Sequence, residues 1–93
     1  KSGTPVLEKY LILREPSMTV KEYMRVCEIS SATAADRIAY VRERMKKHGL
    51  VSIKEGSVLT RTFTEVHGIS MNDFVHFPEI ELYLERERRN AKL

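Results

Sequence analysis

The sequence is poor in the residues that build rigid or covalent sites. Among 93 residues there are one cysteine, no tryptophan, three prolines and four glycines. A single cysteine excludes an intramolecular disulfide and any metal site made of cysteines alone. No apolar run approaches the roughly 20 residues that a membrane span requires, and the first residues lack the pattern of a signal peptide. We therefore expect a soluble globular domain. Because the chain does not begin with Met, we expect either that its start was trimmed or that it is a domain excised from a longer protein.

Charged residues are abundant and unevenly distributed. The formal net charge is +3, and the hydrophobic fraction of 42% is sufficient for a folded core. Residues 19–61 carry nine basic and five acidic side chains, whereas residues 62–93 carry four basic and six acidic ones. A polyanion would therefore dock on the middle of the chain, and the acidic end would serve another role.

The first half of the chain predicts three helices. The first begins at Thr4–Pro5 and ends before Pro16, because the residue before a proline avoids the α region. The second begins at a capping box of Thr19 and Glu22. The third runs from about Thr33 to His48, and its buried stripe is predicted to consist of Ala34, Ile38, Val41 and Met45.

The second half predicts a β-hairpin and a last helix. The runs 50–53 and 58–64 are rich in β-branched and aromatic residues, and 54–57 forms a turn that contains Gly56. A helix opens at Pro78 and continues to about Arg89. The expected fold is α+β, in the order helix, helix, helix, hairpin, helix, as a single domain over residues 1–93.

Three segments, in this order, resemble the winged helix-turn-helix DNA-binding domain. They are Thr19–Tyr23, Ile29–Ala34 and Met45–Val51, which are similar to the family's T-V-x-E, I-S-x-A-T and K-x-G-L-V patterns. The resemblance covers about residues 4–66 and implies a three-helix core with a hairpin wing, followed by a helical extension over about 70–93. The family usually has glycine where this chain has Glu28. The chain resembles antibiotic-resistance regulators and phage or plasmid replication initiators equally.

The resemblance implies that the third helix enters the major groove. One stripe of that helix, at about 100° per residue, carries donors and a flat ring beside the buried stripe. An arginine there can bond the O6 and N7 atoms of guanine. The predicted base-reading residues are Ser31, Thr33, Arg37, Tyr40 and Arg44, with Lys47 on the same stripe. Phosphate contacts are predicted at Thr19, Lys21 and Ser30, and wing contacts at Lys54, Ser57 and Arg61.

The last helix has two interpretations. It carries apolar residues among Glu and Arg side chains, so it can pack back on its own domain as a surface helix. Alternatively, two copies can bury that apolar face around a two-fold axis, which would suit an inverted-repeat DNA site. The residues predicted for such a homodimer interface are Ile80, Tyr83 and Leu84.

Metal binding and catalysis are not expected. Metal-ligating residue types occur at Cys27, His48, His67 and His76, but these positions lack the paired short spacing of zinc ligands. Cys27 lies on an apolar stripe and is expected to be a core thiol. No nucleophile elbow, glycine-rich phosphate loop or carboxylate pair is recognisable. We expect no cofactor and no enzyme activity.

These observations together predict sequence-specific binding of double-stranded DNA. The expected context is transcription regulation, or origin recognition by a replication initiator of a mobile element. The expected location is the cytoplasm of a prokaryotic or phage-infected cell, or the nucleoid. The alternative is a winged-helix module that docks on another protein without binding DNA. Steep salt dependence of duplex binding would distinguish the two.

Overall fold

The computed structural model describes residues 3–91. In these residues the chain forms five α-helices and a two-stranded antiparallel sheet. The helices are α1 (Val6–Arg14), α2 (Val20–Cys27), α3 (Ser31–Lys47), α4 (Thr60–His67) and α5 (Pro78–Ala91). The strands are β1 (Ser17–Met18) and β2 (Val58–Leu59), and a 3-10 turn covers Met71–Asp73. The α+β class is therefore confirmed, while the predicted limits at residues 1 and 93 lie outside the described residues.

The start of α1 differs from the prediction. Thr4 does not cap it, because the Thr4 hydroxyl donates to the carbonyl of Arg25 at 2.5 Å instead. The helix begins one residue after Pro5 and ends at Arg14, before Pro16 as expected. The Thr4 bond ties the start of α1 to the last turn of α2.

Side-chain contacts hold both ends of α2. The predicted capping box forms, with the Glu22 amide donating to Thr19 Oγ1 at 3.2 Å and the Thr19 amide donating to Glu22 Oε1 at 2.9 Å. Glu28 ends α2 in the left-handed region, at φ 56° and ψ 52°. This conformation costs a non-glycine residue about 1–2 kcal/mol. Lys9 Nζ holds the Glu28 carboxylate at 2.7 Å, so the turn forms without glycine.

α3 carries the buried stripe that the sequence predicts. Ala34, Ile38, Val41 and Met45 are all buried. The helix starts earlier than predicted, at Ser31, because Ser30 acts as the N-cap and accepts from the Thr33 amide at 3.3 Å. It ends at Lys47, and Gly49 follows in the left-handed region at φ 69°.

The predicted hairpin over residues 50–64 is wrong. β2 pairs with β1 from before α2, with Ser17 opposite Leu59 and Met18 opposite Val58. Residues 50–57 contain no strand, and the remainder of the second run is the helix α4. The fully buried Phe63 explains the difference, since its ring meets the ring of Tyr23 edge-on at 4.9 Å between centroids. Tertiary packing of one helical face outweighs the β propensity of this segment.

α5 packs back on α1 of the same chain. Ile80 is 0% exposed, and the Arg14 guanidinium lies 5.7 Å from the centroid of the Tyr83 ring. Arg14 also pairs with Glu87 at 3.2 Å. The surface-helix interpretation is therefore the one observed. Within this chain Ile80 is buried and both Tyr83 and Leu84 are half-buried, and the homodimer interface stays a prediction.

Candidate nucleic-acid interface

One stripe of α3 faces outward beside its buried stripe. Arg37 and Lys47 are exposed, and Tyr40 is 56% exposed. Arg44 is half-buried and Thr33 lies half-buried near the N-terminus of the helix. The predicted base-reading residues therefore share one surface, on which Arg37 and Tyr40 are exposed and Arg44 is partly covered by Tyr40 and Glu65.

Arg44 is held in place by its neighbours on this stripe. Its Nη2 donates to the Tyr40 hydroxyl at 3.2 Å, and its guanidinium carbon lies 5.8 Å from the centroid of the Tyr40 ring. Its Nη1 lies 3.7 Å from Glu65 Oε2 of α4. These contacts limit the rotamers of Arg44 before a ligand arrives, which lowers the entropic cost of binding.

A partly buried polar pair joins Tyr23 of α2 to His67 of α4. The Tyr23 hydroxyl and His67 Nε2 are 2.7 Å apart and join α2 to α4. Burial raises the pKa of Tyr23 to about 12. Burial, and then the nearby Arg37 cation, lower the pKa of His67. Both side chains are therefore neutral near pH 7, and the pair fixes α4 against α2 without placing a charge inside.

The cysteine takes part in packing rather than in chemistry. Cys27 is half-buried and packs against the hydrophobic core. Burial raises the pKa of its thiol, an effect that the Arg37 and Lys9 cations partly oppose. A thiol with a raised pKa is a poor nucleophile and a poor metal ligand at neutral pH.

The predicted phosphate-contact residues stand at two helix starts. Thr19 and Ser30 are the N-caps of α2 and α3, so each hydroxyl oxygen already accepts from its own helix. The Thr19 hydroxyl can still donate its proton to a phosphate oxygen, whereas the Ser30 hydroxyl donates to Thr33 Oγ1 at 3.2 Å. Lys21 and Ser31 are exposed beside them.

The DNA contact predicted for Ser57 does not fit the loop over residues 50–57. Ser57 is 2% exposed, and its hydroxyl donates to the Lys54 carbonyl at 2.6 Å. Ser52 Oγ donates to the Ser57 carbonyl at 2.8 Å and closes the loop. Ser57 therefore stabilises the turn and cannot reach DNA, whereas Lys54 is exposed at the turn. Ser57 was predicted as a contact because the hairpin interpretation placed it at a solvent-facing tip.

α4 contributes Arg61 and a residue that the sequence interpretation missed. Arg61 is exposed on α4 rather than on a wing strand, and Glu65 lies one helical turn further along the same exposed face. Glu65 reaches Arg44 of the stripe. If residues 60–67 are read as a helix, the i,i+4 spacing places Arg61 and Glu65 on one face. The hairpin interpretation did not predict that Glu65 lies on this face.

Ion pairing differs between parts of the surface. Within residues 3–91, the ion pairs of α1, α2 and α5 are Arg25 with Glu8, Lys9 with Glu28, Arg14 with Glu87 and Arg89 with Glu85. In the same residues, Lys21 of α2 and Arg86 and Arg88 of α5 have no carboxylate within 4.0 Å. On α3 and the following segment, Arg44 alone has a carboxylate within 4.0 Å in the described residues. The other cations of that region, which we call the open cations, are Arg37, Arg42, Lys46, Lys47, Lys54 and Arg61.

Comparisons with known proteins do not assign this surface. Neither the family models, nor the curated proteins, nor the solved structures yield a significant match to this chain. Over residues 3–91, no group of three His, Cys, Asp or Glu side chains is arranged to hold a metal ion. In the same part of the chain, no helix has both the length and the apolar composition needed to cross a membrane.

Proposed function

We propose that the chain binds double-stranded DNA in a sequence-specific manner, with α3 in the major groove. The observation that carries this proposal is the set of open cations on α3 and the segment after it. Cations that lack a protein partner keep their full attraction for a polyanion. Arg14 of α1 and Arg25 of α2 already face carboxylates of the same chain.

The α2–turn–α3 unit supports the same proposal. Two helices joined by a short turn, of which the second presents a polar face, are the elements of a helix-turn-helix reader. α3 has 17 residues, which corresponds to about 25 Å at a rise of about 1.5 Å per residue. The major groove is about 12 Å wide and admits an α-helix.

The proposed contacts divide by chemistry. Arg37 and Arg44 read guanine edges, Tyr40 supplies a flat ring beside them, and Ser31 and Thr33 bond a base edge or a phosphate. Phosphate contacts are assigned to Thr19, Lys21, Ser30, Lys47, Lys54 and Arg61. The proposed context is a transcription regulator, or the origin-binding domain of a replication initiator of a mobile element.

The proposal predicts steeply salt-dependent binding. Duplexes are selected from a random pool, and their affinity is measured by fluorescence anisotropy over a salt series. Log affinity falls linearly with log salt, with a slope of about 0.9 per phosphate contacted. Arg37→Ala reduces preference for the selected sequence, while Lys54→Ala weakens all duplexes alike and lowers the slope by about one.

The matched outcomes separate the two functions. No binding to any duplex at low salt would overturn the proposal. The alternative, a protein-docking module, is favoured by apolar side chains that stand in solvent on the 50–57 loop, since Val51 is 80% and Ile53 58% exposed. A protein-docking module predicts that no duplex is selected from the pool. It also predicts that Arg37→Ala and Lys54→Ala have the same affinity for any duplex.

A further inference from the structure

An apolar groove lies on the flank of α3 away from the Arg37–Arg44 stripe. It encloses about 450 Å³ between α3 and residues 50–52. Its apolar lining is formed by Ala39, Met45, Leu50 and Val51. Val51 is 80% exposed, so covering this groove would remove a large apolar surface from water.

Two open cations line the groove. Arg42 and Lys46 are one helical turn apart on α3 and both line it, together with Glu43. Neither cation has a carboxylate within 4.0 Å among residues 3–91. An occupant that offers one apolar side chain and a pair of carboxylates one turn apart would match this groove in shape and charge.

The outer face of α5 has these features. Leu82 is 54% exposed, on the opposite side of the helix from the buried Ile80. Glu81 and Glu85 lie beside it, one turn apart, and both are exposed. Glu81 has no cation within 4.0 Å in the described part of the chain, and Glu85 pairs only with the exposed Arg89. Such a solvent-exposed pair is weak and easily exchanged.

We propose that this groove binds the outer face of α5 from a second copy of the chain. Leu82 of one copy enters the groove of the next, and its Glu81 and Glu85 carboxylates face Arg42 and Lys46. A chain's own α5 is occupied in packing on α1, so the contact is intermolecular. The groove and the helix are different surfaces, so a contact made once per pair of copies joins them head to tail. This proposal is independent of DNA binding.

Charge reversal on each side tests the proposal. The groove variant is Arg42→Glu with Lys46→Glu, and the helix variant is Glu81→Lys with Glu85→Lys. Analytical ultracentrifugation is expected to show concentration-dependent association of the wild type and at least a tenfold weakening in each variant alone. An equimolar mixture is expected to associate again, because reversed grooves then meet reversed helices and unmodified grooves meet unmodified helices.

Two further variants keep the result interpretable. Leu82→Ser alters only an exposed side chain and is expected to weaken association at least tenfold, with an unchanged circular dichroism spectrum. The control Arg37→Glu with Lys47→Glu reverses two α3 cations outside the groove and is expected to associate like the wild type. A wild type that remains monomeric up to about 1 mM, or a mixture that fails to associate, would overturn the proposal.

Discussion

The two sides of this molecule contain the same charged residue types in different arrangements. On the α1–α2–α5 side, Arg25 meets Glu8 and Arg14 meets Glu87. On the α3 side, most cations have no such partner in the described residues. We propose that the position of the carboxylates, rather than the number of cations, decides which face attracts a polyanion.

The same contrast holds for the aromatic residues. Tyr23 and Phe63 are buried and in contact at the centre of the core, whereas Tyr40 stands in solvent above Arg44. The rings of the core therefore stabilise the fold, and the ring of Tyr40 on α3 is available for a ligand. Substitutions matched across the two sides test this division.

The largest effect is expected from Phe63→Ala. Removing a fully buried ring leaves a cavity and typically costs about 3–5 kcal/mol of unfolding free energy. Tyr40→Ala removes an exposed ring and is expected to change that free energy by about 0.5 kcal/mol. Urea unfolding followed by circular dichroism measures both. Similar losses in the two variants would show that Tyr40 is a core residue and that the stripe is not open.

The next effect concerns DNA affinity. Arg37→Ala is expected to lose about 1–3 kcal/mol of discrimination for the selected duplex, if Arg37 reads a base. Arg25→Ala removes a cation that Glu8 already neutralises, so duplex affinity is expected to stay within twofold of the wild type. Anisotropy titration with one labelled duplex measures both. Equal losses would indicate that binding follows total charge and not a particular face.

A smaller effect is expected from His67 as pH falls. Its folded-state pKa lies below 6.5 because of burial and Arg37. The unfolded chain therefore takes up a proton first, so this stabilisation is complete above about pH 6.5 and is lost as pH falls through the lowered pKa. His67→Gln is expected to have a flatter dependence of unfolding free energy on pH between 7.5 and 5. An identical pH dependence in wild type and variant would contradict this assignment.

The smallest effect is expected at the paired face. The hydrogen bonds from Arg25, and then its charge, hold the pKa of Glu8 below its usual value of 4.5. This stabilisation is present above pH 4.5 and is lost as pH falls through the lowered pKa. Glu8→Gln is therefore expected to be less stable than the wild type at pH 7, and the difference is expected to disappear at low pH. A difference that persists in acid would have another cause.

The sequence predicts the elements whose signals are local. The Thr19–Glu22 capping box and the apolar stripe of α3 are both confirmed, because caps and helical periodicity depend on neighbours within a few residues. The β part of the expected α+β class comes from the hairpin over residues 50–64, and the observed sheet instead pairs Ser17–Met18 with Val58–Leu59. The stripe that carries Arg37, Tyr40 and Arg44 follows from the same periodicity.

The sequence does not predict what depends on distant contacts. The pairing of Met18 with Val58 joins segments 40 residues apart and has no local signal. Residues 60–67 look like a strand until Phe63 is known to pack on Tyr23. The burial of Ser57 and the approach of Glu65 to Arg44 both depend on that helix. Local pattern alone therefore predicts which residues of α3 share its outer stripe, but not which residues of α4 lie beside them.

An amide NMR titration with a short duplex tests the central claim most directly. Duplex binding is expected to shift the resonances of residues 31–47, Lys54 and Arg61, and to leave those of α1 and α5 unchanged. The account would be contradicted by shifts concentrated on α1 and α5, or by a spectrum that does not change at low salt.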